Sequence, residues 1–332
     1  MPDPIPFEKF MHRALYDQEQ GYYARQISGV GRRGDFTTVP MLSDVLAKAI
    51  AAWAVRALME TGCRDLVEIG PGEGTLAAAV IKYLPWRIRW RTRLHLVETS
   101  AQLAGHQRKL LGKTAQYHDS PAAALASCHG RAVIFSNELV DAFPVRRFQN
   151  TADGWKELAV GFAPDGKILE SLLPAAPLPR SSSFFCNHPE GQWIEVHDAY
   201  HRWLADWLPC WKAGRMLTID YGATADNLYH RHPRGTLRAY LFHQRLEGLD
   251  IYQNPGRQDL TTDVNFTDLM DWSRNHAEVV KLQTLADFLH SSLDQGNSLD
   301  SELADEFGAG GAFLVLDQAC RAGKSGRHDP LT

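Results

Sequence analysis

D-L-V-E-I-G-P-G-E-G-T-L-A-A-A-V, residues 65–80, reads as a short buried strand, a glycine turn and an alanine-rich helix. Gly70, Gly72 and Gly74 stand at alternate positions, where the lack of a Cβ lets the backbone turn sharply and approach a ligand. The helix that follows aims its first N–H groups over the turn. Strand, glycine turn and helix in this order make a nucleotide-type site at the carboxyl end of a first strand. A glycine turn that binds nothing is the simpler alternative.

The charges around the turn narrow the ligand. A dinucleotide fingerprint has the form G-x-G-x-x-G, with a pyrophosphate on the helix N-terminus. Here the pattern is E-x-G-x-G-x-G, with Glu68 at the strand end and Glu73 inside the turn. Two carboxylates repel a pyrophosphate, which disfavours a dehydrogenase, but suit a ligand carrying an ammonium and a sulfonium. S-adenosylmethionine (SAM) is such a ligand, and this glycine pattern is typical of class I SAM-dependent methyltransferases. Glu68, Gly70, Gly72 and Gly74 are thus expected at the cofactor. A second strand, Arg93 to Glu98, ends in an acid placed to accept the ribose hydroxyls. A helix N-terminal charge before Ser100 is compatible with that role, and the pairing with the glycine turn favours the ribose. His118, Asp119 and Ser120 follow a short third strand and either lie near the adenine, with Asp119 as its contact, or cap a helix.

Composition bounds the rest. The 332 residues are 44% hydrophobic and 22% charged, enough for a large core, and a net charge of −4 gives no general affinity for nucleic acid or anionic membrane. No apolar run approaches the roughly 18 residues of a membrane span. The five cysteines are scattered without a C-x-x-C pair, so neither a metal nor a disulfide framework is expected. His230 and His232 lack a third ligand at matching spacing. The N-terminus has neither an apolar h-region nor an Arg/Ser-rich presequence, and a cytoplasmic location is the expectation.

A fourth strand, Arg131 to Phe135, runs into S-N-E-L-V-D-A-F-P, Ser136 to Pro144. At the carboxyl end of a central strand the reacting group meets the cofactor, which makes Asn137, Glu138 and Asp141 the catalytic candidates, with Asn137 also beside the cofactor. Glu138 and Asp141 are three apart, so one helical turn would aim both the same way; capping of a short helix is the alternative. Upstream, G-D-F-T-T-V-P (Gly34 to Pro40) leads into a helix from about Ser43 to Glu60 and reads as a lid or as a surface turn. Trp155 to Leu173 reads as a hairpin around Pro164-Asp165-Gly166. Arg215 to Tyr221 is a fifth strand ending in D-Y-G at the cofactor side, and Asp198 to Trp211 and Phe266 to Asn275 are helices. Arg87, Arg89, Arg91 and Arg93 alternate with apolar residues as a solvated strand face or loop, or as a docking patch for an acidic partner.

Four blocks in order carry a family resemblance: G-D-F-T-T-V-P, V-E-I-G-P-G-E-G-T-L, L-V-E-T-S-x-x-L-x-x-x-Q and N-E-L-V-D-A-F-P-V. I-D-Y-G, T-L-R and P-G-R-Q-D-L-T-T-D-V-N-F continue it, from Phe7 to about Gln318. The chain resembles the MidA-type family of class I SAM-dependent methyltransferases, whose mitochondrial members methylate an arginine of a complex I subunit. The resemblance implies a Rossmann-like fold: a seven-stranded, mostly parallel sheet with an antiparallel last strand, an N-terminal helical segment and two insertions. It divides the chain into a helical lid segment (1–60), the first half of the core (61–147), a hairpin insertion (148–197), a core helix and fifth strand (198–222), a second insertion (223–265), the rest of the core (266–320) and a tail (321–332). It also implies a protein substrate presenting an arginine, with Gly34, Asp35, Phe36, Thr37, Thr38 and Tyr221 at the substrate or lid. Small-molecule methylation and SAM binding without turnover are the rivals on the same fold. The family usually has arginine where this chain has Glu73, and often N-E-F-F-D-A-L-P where it has Leu139, Val140 and Phe143.

Overall fold

Every second residue of each central strand faces the same way, and the apolar positions sort accordingly into two cores. The computed structural model describes residues 3–25, 44–163, 168–174, 177–241, 244–246, 248–293, 305 and 308–321. The block Gly34–Thr38 and the hairpin tip Pro164–Gly166 lie outside these residues.

The main sheet contains β1 (Asp65–Ile69), β2 (Arg93–Val97), β3 (Ala115–His118), β4 (Val133–Asn137), β5 (Arg215–Ala223), β6 (Ala277–Thr284) and β7 (Phe313–Cys320). Its spatial order is β6-β7-β5-β4-β1-β2-β3, with β7 antiparallel to both neighbours and the other pairs parallel. The seven-stranded expectation is met; the two-residue strand Val264–Asn265 adds an eighth by pairing with the end of β5. The sheet order reverses between β1 and β4, so their carboxyl ends open a crevice at the switch point.

Helices cover both faces. Leu66, Val133, Phe135, Leu217 and Ile219 pack under α2 (Val45–Thr61). On the other face Val67, Ile69, Ile134 and Met216 meet α6 (Asp198–Trp207) and α7 (Phe266–Ser273). The remaining core helices are α3 (Thr75–Tyr83), α4 (Ala101–Leu111) and α5 (Pro121–Ser127). The Asn265 side chain caps α7 by accepting from the amides of Thr267 and Asp268.

The inserted segments build their own sheets. Gly154–Phe162 pairs antiparallel with Ile168–Pro174, as the hairpin reading requires, and also with Arg146–Thr151 and Ile5–Pro6. Arg238–Leu241 is flanked by Gln244–Leu246 and Asp259–Thr261. Both insertions share one core with α1 (Phe7–Tyr16): Phe7, Phe10 and Met11 pack with Val145, Leu158, Val160, Ala239 and Leu260. The N-terminal helix is thereby fixed beside the carboxyl ends of β1 and β4.

Four local expectations need correction. α6 stops at Trp207 because Pro209 lacks a donor, and a single tight turn Leu208–Cys210 replaces its last residues. β4 runs on to Asn137 because Ile219 of β5 pairs with it there. Residues 138–143 form no helical turn; Glu138 adopts a left-handed φ of 51° instead. Trp86–Arg89 is one turn of helix rather than a strand face, and Arg93 opens β2, where its guanidinium grips Asp65 at 2.7 and 2.6 Å.

Candidate active site

The glycine turn keeps its shape through positive φ angles and contacts from neighbouring elements. Gly70 has φ 69°, and a Cβ there would stand 2.7 Å from Leu139 Cδ1, so the first glycine lets the turn and the loop after β4 touch. Gln107 of α4 donates to the Gly72 carbonyl at 2.6 Å, and the Gly74 amide donates to the Pro71 carbonyl at 2.8 Å. Gly74, at φ 83°, is the N-cap of α3 and lies behind the turn, outside the wall of the cavity described next.

A cavity of about 1360 Å³ opens over the carboxyl ends of β1 and β4. Its wall takes Glu68, Gly70, Gly72, Glu98 and Asp119 from the ends of β1, β2 and β3, and Asn137, Glu138 and Asp141 from the end of β4 and the loop after it. Glu68 is 2% exposed, and its pKa is pushed up to about 8, chiefly by burial, while the Ala77 amide pulls it down. Among the described residues, Glu68 Oε2 and Asn137 Oδ1 are buried acceptors without a hydrogen-bond partner. Buried orphan acceptors are costly, and an ammonium donor would satisfy both. Glu98 accepts from the Ser100 amide at 2.8 Å, and burial raises its pKa. Ser120 caps α5, accepting from the Ala123 amide at 3.3 Å, and donates to Asp119 at 3.2 Å. Glu73 lies on the wall, its Oε1 3.8 Å from Nδ1 of His106 on α4. These features fit SAM: acceptors for its ammonium, an acid at the tip of β2 for its ribose, and an open face at Gly72, where a Cβ would meet no protein atom within 4 Å.

The loop after β4 meets a buried group of carboxylates held by long-range contacts. Asp141 Oδ2 accepts from Thr261 at 2.7 Å, and burial raises its pKa against the pull of Thr261 and Arg238. Asp220 of β5 is fully buried; its Oδ2 accepts from the amides of Leu139, Val140 and Asp141 at 3.2, 2.8 and 3.3 Å. This clamp, rather than a helical turn, sets the path of the loop. Burial and the Asp141 charge raise the Asp220 pKa, and the amides of the loop work against the rise. Asp259 also lines the cavity, its Oδ1 accepting from the Tyr23 hydroxyl at 3.3 Å. Tyr16 donates to the Ala142 carbonyl at 3.0 Å.

Asp220, Asp259, Thr261, Tyr16 and Tyr23 had no assigned role in the sequence reading. Three of them sit in blocks already quoted, I-D-Y-G and R-Q-D-L-T-T, and buried acids in such blocks were the available signal. Tyr221 is the reverse case: it is absent from the cavity wall, packs its ring 3.8 Å from that of Phe313, and lies under Arg238 at 5.4 Å. Metal-ligand residue types cluster once among the described residues, at Asp65, His95 and Cys128 at the amino end of β1. There Asp65 is held by Arg93 and bonded to His95 at 2.9 Å, so the group is already paired within itself.

The profile of the family described as "Putative S-adenosyl-L-methionine-dependent methyltransferase" matches residues 49–285. The chain belongs to that family. Similar proteins include the protein arginine methyltransferase NDUFAF7, mitochondrial, of Danio rerio, 28% identical over 80% of this chain and 67% of that protein. The NDUFAF7 homologue of Caenorhabditis elegans is 27% identical over 79% and 67%. A COG1565 superfamily member from Burkholderia thailandensis, crystallised with S-adenosyl-homocysteine (SAH), superposes with a TM-score of 0.81 at 26% identity, over 96% of this chain and 88% of that one. The chain is a class I SAM-dependent methyltransferase of the MidA type. Its relatives are named mitochondrial, and that finding overturns the expected cytoplasmic location. No helix among the described residues is long and apolar enough to cross a membrane.

Proposed function

We propose that this methyltransferase transfers methyl from SAM to a guanidinium nitrogen of an arginine in a protein. One observation carries the reading: a single cavity is lined both by Glu68 and Glu98 from the ends of β1 and β2 and by Glu138 and Asp141 from the loop after β4. The names of the relatives, protein arginine methyltransferases, support it. SAM supplies an electrophilic methyl on a sulfonium. Glu68 and Asn137 would hold its ammonium, Glu98 its ribose and Asp119 its adenine end. A guanidinium, with a pKa of about 13 or more, arrives charged. Glu138 and Asp141 would grip it through charge-assisted hydrogen bonds, localise its charge away from the attacking nitrogen and orient that nitrogen in line. Asn137 donates to Glu138 Oε1 at 3.1 Å and so sets the angle of that carboxylate. The lid assignment of Gly34, Asp35, Phe36, Thr37 and Thr38 and the division of the chain into core and insertions stand as parts of this proposal, while Tyr221 serves it by packing behind the wall under Arg238. The acceptor to try first is a subunit of a respiratory complex.

Transfer of labelled methyl from SAM into a lysate of cells lacking the protein, followed by mass spectrometry, tests it. One labelled protein bearing methylarginine is the expected result. Label confined to metabolites, or SAM binding without transfer, would refute it.

A further inference from the structure

Methylating a guanidinium releases one proton, and the site must receive it. We propose that Asp259, contributed by the second insertion, is the proton acceptor of the transfer, with Tyr23 as its positioning residue; this rests on the arginine reading above.

The choice follows from what the other groups on this wall are doing. Glu138, bonded by Asn137, and Asp141, bonded by Thr261, are assigned to the guanidinium grip; burial raises the Asp141 pKa, and Thr261 and Arg238 oppose the rise. Tyr16 and Tyr23 are buried phenols whose pKa values are raised well above the usual 10, so they act as donors. Asp259 lies on the cavity wall, with one oxygen fixed by the Tyr23 hydroxyl at 3.3 Å. Its strand, Asp259–Thr261, is docked on the loop after β4: Thr261 bonds the Asp141 carboxylate, and the Thr262 amide donates to the Asp141 carbonyl at 3.4 Å. The carboxylate is therefore held on the same wall as the candidate guanidinium grip. The rings of Tyr16 and Tyr23 stand 5.3 Å apart, and those of Tyr22 and Tyr23 also 5.3 Å, forming an aromatic wall beside it.

The groups facing Asp259 set its basicity. Burial and the Asp141 charge raise its pKa to about 7, while Tyr23, the Leu260 amide and Arg238 oppose the rise. A base near neutrality accepts a proton at working pH and gives it up again. In the transfer, the N–CH3 bond forms as the S–CH3 bond breaks and the N–H electron pair stays on nitrogen. The proton passes to Asp259, leaving SAH and a methylguanidinium that keeps its single positive charge. Asp259 then returns the proton to water.

The test uses the full chain, labelled SAM and the knockout lysate, from pH 5.5 to 9, with acid hydrolysis of the product and calorimetry of SAH. The wild-type rate should rise with pH through about 7. Asp259→Asn should lose about 100-fold in rate and flatten that profile, with SAH affinity within about threefold, and Asp259→Glu should recover at least about tenfold. Tyr23→Phe should shift the rising limb upward in pH by removing the donor. An Asp259→Asn enzyme within about threefold of wild type, or one that keeps the pH limb, overturns the proposal. Label on a residue other than arginine refutes the arginine reading alone, since the profile still reads the base for that acceptor. No transfer to any acceptor refutes both.

Discussion

The two ends of the cavity are built differently. The cofactor end comes from consecutive strand–turn–helix units, so each group sits a few residues from the element that aims it. The acceptor end is assembled from the loop after β4, β5, the second insertion and the N-terminal segment, through contacts such as Tyr16 to Ala142 and Thr261 to Asp141, which span more than 100 residues. The first kind of site is written locally; the second exists only after the chain has closed. Damage should therefore separate: binding on one side, turnover on the other.

The largest effect is expected at the acceptor end. Glu138→Ala should lower turnover by about 100-fold to 10,000-fold while SAH affinity changes by less than about threefold. A parallel loss of SAH affinity would erase the division between the ends. Glu68→Gln should do the opposite, weakening SAH by about 10- to 100-fold through loss of a charged hydrogen-bond partner. The same carboxyl gives a proton signature. Its folded pKa of about 8 lies above the ordinary 4.5, so the folded state holds the proton more tightly. Unliganded stability is therefore undiminished below about 4.5 and falls as pH rises toward 8. Thermal scans from pH 5 to 9 should show a steeper fall for wild type than for Glu68→Gln. Calorimetry in buffers of different ionisation heat should show proton release on SAH binding in wild type only.

Gly70→Ala tests the contact between the ends. Its φ of 69° and the 2.7 Å approach to Leu139 predict a cost of about 1–3 kcal/mol, felt in both SAH affinity and turnover. An effect on affinity alone would mean that Leu139 yields freely. Tyr16→Phe should be mildest, removing one hydrogen bond worth about 1 kcal/mol and slowing turnover by less than about tenfold with SAH binding intact.

The same contrast explains what the sequence revealed. β1, β2, β4 and β5 were legible because continuous β-branched and leucine-rich runs between loop residues mark buried parallel strands. The glycine turn was legible because its constraint is local. Glu138 and Asp141 were found through their place after a buried strand, but the path of their loop was misread. A spacing of three suggested a helical turn, and nothing nearby in sequence shows that Asp220, about 80 positions on, takes the amides of residues 139–141. Asp259 was harder still, because an acid in a Gly/Pro-rich insertion looks like any solvated acid until the fold buries it to 9% exposure.

Asp220 has one further consequence. In many α/β enzymes the amides after a central strand are left pointing into the site, where they welcome an anion. Here the amides of Leu139, Val140 and Asp141 turn inward to a buried carboxylate. Those three donors are hidden, and the polar side chains that the loop brings to the wall are the acids Glu138 and Asp141. The loop itself thus selects by charge sign: an acceptor whose reactive end bears a carboxylate or phosphate meets acids there, while the cations of the wall, Lys9, Arg13 and Arg202, come from other segments.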